Sequence, residues 1–368
     1  MSETKKRIIC SVGTRPEAIK MAPVIRALRQ ESWADVRILA TAQHRQMLDQ
    51  ALADFELHPD IDLNVMQHDQ SLPELTARLL ISLDETLRRE SPEIVLAQGD
   101  TTTVLATALA CFYRGILFCH VEAGLRTGDF SNPFPEEMNR VVASRLTHLH
   151  FAPTETARTN LIREGIDPAR ILVTGNTVID ALLWTVEQAG PADLGLDPAK
   201  RLILVTAHRR ENFGRPLEDI CGAIRKLAED YEDIQILYPV HPNPNVTGPV
   251  HRLLGGRERI HLCEPLSYRV FVAAMKRSYL ILTDSGGVQE EAPALSKPVL
   301  VLRTETERPE AVEAGVVCVV GTEPHRIVSA ARDLLDDPLL YRAMAKGVSP
   351  YGDGKASDRI VQALRELG

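Results

Sequence analysis

The chain has 368 residues, 44% of them hydrophobic and 25% charged, with a formal net charge of -8. That length exceeds one ordinary core and favours two domains, while the acidic balance argues against general binding to a nucleic-acid backbone. Short apolar runs alternate with helical periods along the whole sequence. They predict strands at Arg7–Val12, Val36–Thr41, Ile94–Gln98, Ile116–Val121, His148–Ala152 and Ile171–Thr174, with helices over Pro16–Gln30, Leu72–Glu90 and Thr101–Arg114. A second series follows at Leu202–Thr206, Ile234–Pro239, Ile260–Cys263, Leu280–Thr283, Val299–Leu302 and Val316–Val319. The alternation predicts an α/β chain of two Rossmann-like domains, each a parallel sheet covered by helices. Residues 1–175 form the first and 176–354 the second; the Gly-, Pro- and Asp-rich stretch Gln188–Pro198 marks a connector within 176–198. A short helical pattern over 355–368 is expected to pack back on the first domain.

The N-terminal Met1–Arg7 is basic but leads into an apolar run only as long as a strand. Neither a signal peptide nor a membrane span is expected, and the predicted location is cytoplasmic. The six cysteines form no Cys-x-x-Cys pair and no His/Cys cluster at metal-ligand spacing, so they read as small buried hydrophobes and no metal site is predicted.

Two acids, Asp100 in Gly99-Asp100-Thr101 and Glu122 in His120-Val121-Glu122-Ala123-Gly124, stand just beyond apolar runs that read as buried strands. Open parallel sheets collect ligands at those ends, and a desolvated carboxylate there is costly unless paired or used for proton chemistry. Glu136 and Glu137 open a helix after Pro133-Phe134-Pro135; the helix dipole accounts for one acid but does not require both. His208, in Thr206-Ala207-His208-Arg209-Arg210, follows the first strand of the second domain, either as a working group or as a hydrogen-bonded histidine near a helix start.

Two turns are suited to phosphate. Ser11-Val12-Gly13-Thr14-Arg15-Pro16-Glu17 joins a strand to a helix N-terminus that attracts anions, with Arg15 and Lys20 adding charge; it also reads as an ordinary tight connection. Thr283-Asp284-Ser285-Gly286-Gly287 is the stronger signal, since a hydroxyl and several backbone N–H groups converge with no side chain in the way. Glu291, a turn later, is placed to accept from a ribose, and Arg308 either complements the phosphate or holds its loop. No Gly-x-Gly-x-x-Gly is present, which counts against a dinucleotide cofactor.

Taken together, Gly13–Glu17, Gly99–Thr101, His120–Arg126, Pro133–Arg140, His208–Glu211, Thr283–Glu291 and Glu307–Glu310 resemble the non-hydrolysing UDP-N-acetylglucosamine 2-epimerases, collinearly and over essentially the whole chain. The resemblance implies a glycosyltransferase-B type of fold, two Rossmann-like domains facing across a cleft. It implies C2 epimerisation of UDP-N-acetylglucosamine to UDP-N-acetylmannosamine, for cell-surface polysaccharide, without cofactor or metal. By position, Asp100, Glu122, Glu136 and His208 are the implied catalytic group. Arg15, Lys20, Phe271, Ser285, Gly286, Gly287, Glu291 and Arg308 are the implied substrate contacts. Leu266 stands where some members have glutamine, so a backbone contact to uracil is expected there. Gln43, His44, Gln46 and Gln70 match positions that in bacterial relatives hold a second UDP-N-acetylglucosamine as activator, although residue 69 is Asp where some regulated relatives have Arg. A homodimer is expected from the family alone.

The implied chemistry explains the number of acids. The C2 hydrogen is not flanked by a carbonyl, so loss of UDP from C1 must accompany its removal and leave a 2-acetamidoglucal. One group takes the proton and another returns one to the opposite face. The first assignment gives proton transfer to Asp100 and Glu136 and orientation or stabilisation to Glu122 and His208; an exchange of roles among the four is the alternative. Other readings are an epimerase for a further modified UDP-sugar, a hydrolysing epimerase, a glycosyltransferase of the same fold, and a non-catalytic nucleotide-sugar sensor. The last has no use for three acids.

Overall fold

The computed structural model describes residues 5–41, 45–65, 67, 70–188, 193–306 and 308–367. The chain divides into two units, one of Met1–Trp184 with Tyr351–Gly368 and one of Thr185–Pro350.

The first unit is built on seven parallel strands: β1 (Lys6–Val12), β2 (Ala34–Ala40), β3 (Ile61–Asp62), β4 (Ile94–Gln98), β5 (Leu117–Val121), β6 (Leu149–Ala152) and β7 (Ile171–Val173). Their order is β3-β2-β1-β4-β5-β6-β7. Six coincide with the apolar runs. The unanticipated β3 pairs Ile61 with Leu39 of β2 and is too short to show a period. Strands covered on both faces need apolar residues throughout, and Ile8, Ile9, Cys10 and Val12 are all fully buried. Helix Leu72–Glu90 starts on a Ser71/Glu74 capping box and lays Leu79, Leu83 and Leu87 in one stripe against Val95, Ala97 and Phe118. Each such side chain contributes about 1.5–3 kcal/mol by leaving water.

Strand order reverses at β1, so the carboxyl ends of β1 and β4 diverge into a crevice, the usual ligand position in such sheets. Gly13 lies there because nothing larger fits. A Cβ would come within 2.5 Å of the hydroxyls of Thr41 and Thr103, which are themselves hydrogen-bonded at 2.9 Å.

The first unit runs on to Trp184, inside helix Thr177–Gln188, rather than ending at residue 175. The helix buries Val178, Ile179, Ala181 and Leu182, and Trp184 stacks on Phe55 at 5.1 Å, so its apolar face belongs to this core. The chain returns at Tyr351, whose carbonyl accepts from Asn176 N at 2.6 Å. Asp180 caps the final helix, Ala356–Glu366, accepting from Ala356 N (3.2 Å) and Ser357 N (2.7 Å). That helix lies against Arg15–Gln30, and Lys6 Nζ donates to the Arg365 carbonyl at 3.1 Å and to that of Leu367.

The second unit has six parallel strands: β8 (Arg201–Thr206), β9 (Ile234–Pro239), β10 (Ile260–Cys263), β11 (Leu280–Thr283), β12 (Val299–Val301) and β13 (Val317–Val319). They run β10-β9-β8-β11-β12-β13, and the order reverses at β8 as it does at β1. Ile203, Val205, Ile236 and Leu282 pack under Ile220, Ile224 and Leu227 of helix Arg215–Asp230.

Cys10, Cys111, Cys119 and Cys221 are buried as expected, but Cys263 is half-buried and Cys318 is exposed. The reason for the last is that β13 is an edge strand, where alternation turns Cys318 outward beside buried Val317. Among the described residues, no helix is long and apolar enough to cross a membrane.

Candidate active site

In the first unit the acids gather where β1, β4 and β5 end. Glu122 follows β5 with φ of 64°, a left-handed conformation costing a non-glycine residue about 1–3 kcal/mol. Its side chain is nearly inaccessible and amply held: Oε1 meets Lys20 Nζ at 2.5 Å and Asn176 Nδ2 at 2.9 Å, and Oε2 accepts from Gln98 Nε2. Donors of this kind fix the carboxylate in place. Lys20, which the family resemblance assigned to substrate, is thus joined to Glu122 in this structure. Beneath it, burial pushes His120 down to about 4, so the neutral ring donates from Nε2 to the Gly99 carbonyl at 2.7 Å.

Asp100 is held differently. Its side chain is 32% exposed and its ionic partner is Arg140 Nη2 at 3.3 Å. Protein packing on its remaining sides raises its pKa to about 6 against the pull of Arg140, with the charges of Glu122 and Glu136 adding to the rise. A carboxyl in that range exchanges a proton easily near neutrality. Glu136, half-buried at the start of helix Glu136–Leu146, has no hydrogen bond or ion pair from its side chain among the described residues. Its neighbour Glu137 does the structural work: it is buried, accepts from Thr127 N (3.1 Å) and Gly128 N (2.9 Å), and pairs with Arg140 Nε at 3.2 Å. The two acids of this helix therefore divide between a held and an open group.

A fifth carboxylate, Glu17, sits at the crevice itself. Its Oε2 accepts from Gly13 N (2.5 Å) and Thr14 N (3.0 Å), while Oε1 accepts from the Thr101 hydroxyl (2.5 Å). The turn after β1 is thereby tied to the turn after β4, and burial lifts Glu17 to about 7 despite these bonds. Thr14 and Glu17 form a capping box on a local Thr-x-x-Glu spacing that the sequence analysis did not single out, and the bond to Thr101 spans 84 residues.

In the second unit the strand ends collect donors. Ser285 is the N-cap of helix Gly286–Ala294 and its side chain makes no cap hydrogen bond, so the first turn carries the partial positive charge of a helix start. The position a Gly286 side chain would take is 3.7 Å from Arg209 Nη2 and 4.0 Å from Arg308 Nη2, so two guanidinium groups border the same glycine. Arg308 Nε donates to buried Glu290, and Thr306, hydrogen-bonded to Gln289 at 2.5 Å, anchors the same loop. Of the two roles the sequence left open for Arg308, the ion pair with Glu290 supplies the one that holds its loop, and Nη2 lies beside the turn. Glu291 accepts from the buried Tyr268 hydroxyl at 2.6 Å. Phe271 and Leu266 are half-buried, Phe271 on helix Tyr268–Arg277 and Leu266 just before it.

His208 stands just beyond β8. Its ring stacks on His241 at 5.3 Å, and burial, with His241 and Arg209, lowers its pKa against the opposing pull of Asp284. Asp284, absent from the sequence-based assignment, is inaccessible and accepts from His208 N (2.8 Å), Arg209 N (2.8 Å) and Asn212 Nδ2 (3.0 Å). Gln98, Asn176, Arg140 and Arg209 were missed similarly. Each acts through a partner distant in sequence.

Of the implied activator positions, Gln43 and His44 and the side chain of Gln46 lie outside the described residues. Gln70 Oε1 accepts from Gln67 N at 3.2 Å and from Arg78 Nη2. Among the described residues, no group of three or more His, Cys, Asp or Glu is placed to hold a metal.

The sequence model of the UDP-N-acetylglucosamine 2-epimerase family matches residues 26–365. The UDP-N-acetylglucosamine 2-epimerase of Escherichia coli K12 is 52% identical, the match covering 98% of both chains. The crystal structure of UDP-GlcNAc 2-epimerase from Neisseria meningitidis bound to UDP-GlcNAc superposes with a TM-score of 0.91 at 46% identity, covering 98% of this chain and 100% of that one. A sucrose-phosphate synthase from Thermosynechococcus elongatus, 12% identical with a TM-score of 0.67 over 99% of each chain, shares the fold alone. Two parallel Rossmann-like units of the glycosyltransferase-B type, with carboxylates at the strand ends of one and a glycine turn bordered by two arginines in the other, thus accompany a match over nearly the full length, and the chain belongs to the UDP-N-acetylglucosamine 2-epimerase family.

Proposed function

We propose that this chain interconverts UDP-N-acetylglucosamine and UDP-N-acetylmannosamine by elimination and re-addition of UDP. The C1–O bond to UDP breaks as the C2 proton leaves, giving UDP and 2-acetamidoglucal. UDP then re-forms that bond as a proton arrives at the opposite face of C2. The observation that carries the assignment of roles is the contrast between Glu122 and Asp100. Glu122 is saturated by Lys20, Gln98 and Asn176 and suits orientation and charge balance. Asp100, near 6, and the unengaged Glu136 suit proton transfer. In the second unit, the Ser285–Gly287 turn with Arg308 holds the diphosphate and stabilises it as it departs, Glu291 and Phe271 serve the nucleoside, and His208 orients or stabilises. Arg15 adds positive charge beside the turn after β1.

Turnover in heavy water tests this directly. Recovered UDP-sugar carries deuterium at C2 if elimination is the route, and product without solvent deuterium overturns it. Free N-acetylmannosamine in place of UDP-linked product would identify a hydrolysing enzyme instead.

A second UDP-N-acetylglucosamine, held near Gln43, His44, Gln46 and Gln70, acts as activator in this reading, and the working form is a cytoplasmic homodimer. Sigmoidal kinetics in the reverse direction, relieved by a trace of UDP-N-acetylglucosamine, is the expected signature; hyperbolic kinetics counts against the activator. Light scattering reads the dimer.

A further inference from the structure

Asp284 is more than the loop needs. It follows β11, whose Thr283 pairs with Thr206 at the end of β8, so its carboxylate enters the turn that carries His208. Oδ2 alone shapes that turn through its three donors. Oδ1 is equally buried and has no hydrogen-bond partner among the described residues. A buried carboxylate oxygen left without a donor is expensive, and in native proteins such a group asks for an explanation. The group facing it is His208 Nδ1, at 3.6 Å. That is beyond a hydrogen bond but well within electrostatic reach. On its other side the ring is backed by His241, stacked within 13° of parallel, with Arg209 adjacent in the chain. Asp284 is the anion facing this imidazole.

We propose that Asp284 is the positioning residue of His208, holding the ring proton on Nδ1 so that Nε2 is the free acceptor, and stabilising the imidazolium when Nε2 takes up a proton. The Oδ2 bonds fix the His208 backbone while Oδ1 fixes its tautomer, so one carboxylate sets both position and protonation pattern. This inference rests on the reading of His208 as a working group. The balance is simple: a proton taken by neutral His208 on Nε2 gives a cation whose charge Asp284 offsets without being protonated itself.

The test reads the ring directly. In the intact chain with labelled histidine, nitrogen NMR of His208, assigned by its loss in His208→Gln, is expected to show the neutral ring protonated on Nδ1. Asp284→Asn keeps the size and one acceptor oxygen but turns an amide donor toward Nδ1. It is expected to move the proton to Nε2, lower the pH at which His208 titrates, and cut kcat by at least about 100-fold with KM changed less than about threefold. Asn212→Ala removes one Oδ2 bond and leaves Oδ1 untouched, so the tautomer is expected to stay on Nδ1 with kcat within about threefold. A wild-type ring protonated on Nε2, or an Asp284→Asn ring unchanged in tautomer and titration, overturns the proposal without any variant having to be active. Full activity of His208→Gln overturns the catalytic consequence together with the reading beneath it, and is told apart because the wild-type tautomer is measured independently.

Discussion

The two strand-order reversals, at β1 and at β8, are the same device filled with opposite chemistry. Around the ends of β1, β4 and β5 the chain places Glu17, Asp100 and Glu122, two of them with pKa values raised by burial. Beyond β8 and β11 it places a helix start, Arg209 and Arg308 around a glycine. Topology decides where a parallel sheet opens, and the residues just past the strands decide which charge that opening presents. The sharpest consequence is a separation of phenotypes. Asp100→Asn is expected to lower kcat by about 10³-fold and abolish C2 exchange while the Kd for UDP stays within about threefold. Parallel loss of UDP binding, read by calorimetry, breaks the division of labour.

Arg308→Ala addresses the other side. It removes a charge-assisted contact from buried Glu290, so UDP affinity is expected to fall about 10- to 100-fold, with about 1–3 kcal/mol lost from chain stability. Calorimetry and urea unfolding separate the two. Unchanged UDP affinity would place the phosphate elsewhere.

Charge storage differs as well. Glu17 has a folded pKa near 7 against an ordinary value of 4.5, so its contribution is fully present below about 4.5 and is lost as pH rises through 7. Glu17→Gln, which keeps an acceptor for the Gly13 and Thr14 N–H groups, is therefore expected to match wild type at pH 5 and exceed it by about 1–3 kcal/mol at pH 8. Urea midpoints at the two pH values decide it, and a pH-independent difference removes Glu17 as a strained acid. His120 runs the other way: its folded pKa near 4 makes its contribution complete above 6.5 and lost as pH falls through 4. The smallest effect belongs to the second unit. Thr206→Val breaks the 2.5 Å contact with Thr283 and should cost about 1 kcal/mol with no pH dependence.

What the residues disclosed and what they hid have a common physical basis. Strands β1, β4, β5, β8 and β11 are legible because burial on both faces forces apolar runs, and Asp100, Glu122 and Ser285–Gly287 stand out as candidates because they follow those runs at the strand ends. Glu17 was not singled out: its capping box is local, but its bond to Thr101 is not. Gln98, Asn176 and Asp284 were illegible as site residues because each meets its partner only through strand pairing or chain return. Asp284 and His208 are 76 residues apart and Asn176 and Glu122 are 54 apart. Glu136 and Glu137 could not be told apart by position. It is the placement of Arg140 and the Thr127–Gly128 N–H groups that separates them.

The capping of Ala356–Glu366 by Asp180 has a consequence for the order in which the chain matures on the ribosome. The second unit is an insertion between two stretches of the first, so its whole sequence is synthesised before the first unit can be finished. Until residue 356 emerges, Asp180 lacks the helix start it caps, Asn176 lacks the Tyr351 carbonyl, and β1 waits at Lys6 for carbonyls some 360 positions downstream. The strand made first is the last to acquire all its neighbours, and the Asn176 that steadies Glu122 gains its bond to the Tyr351 carbonyl only after the second unit has been made.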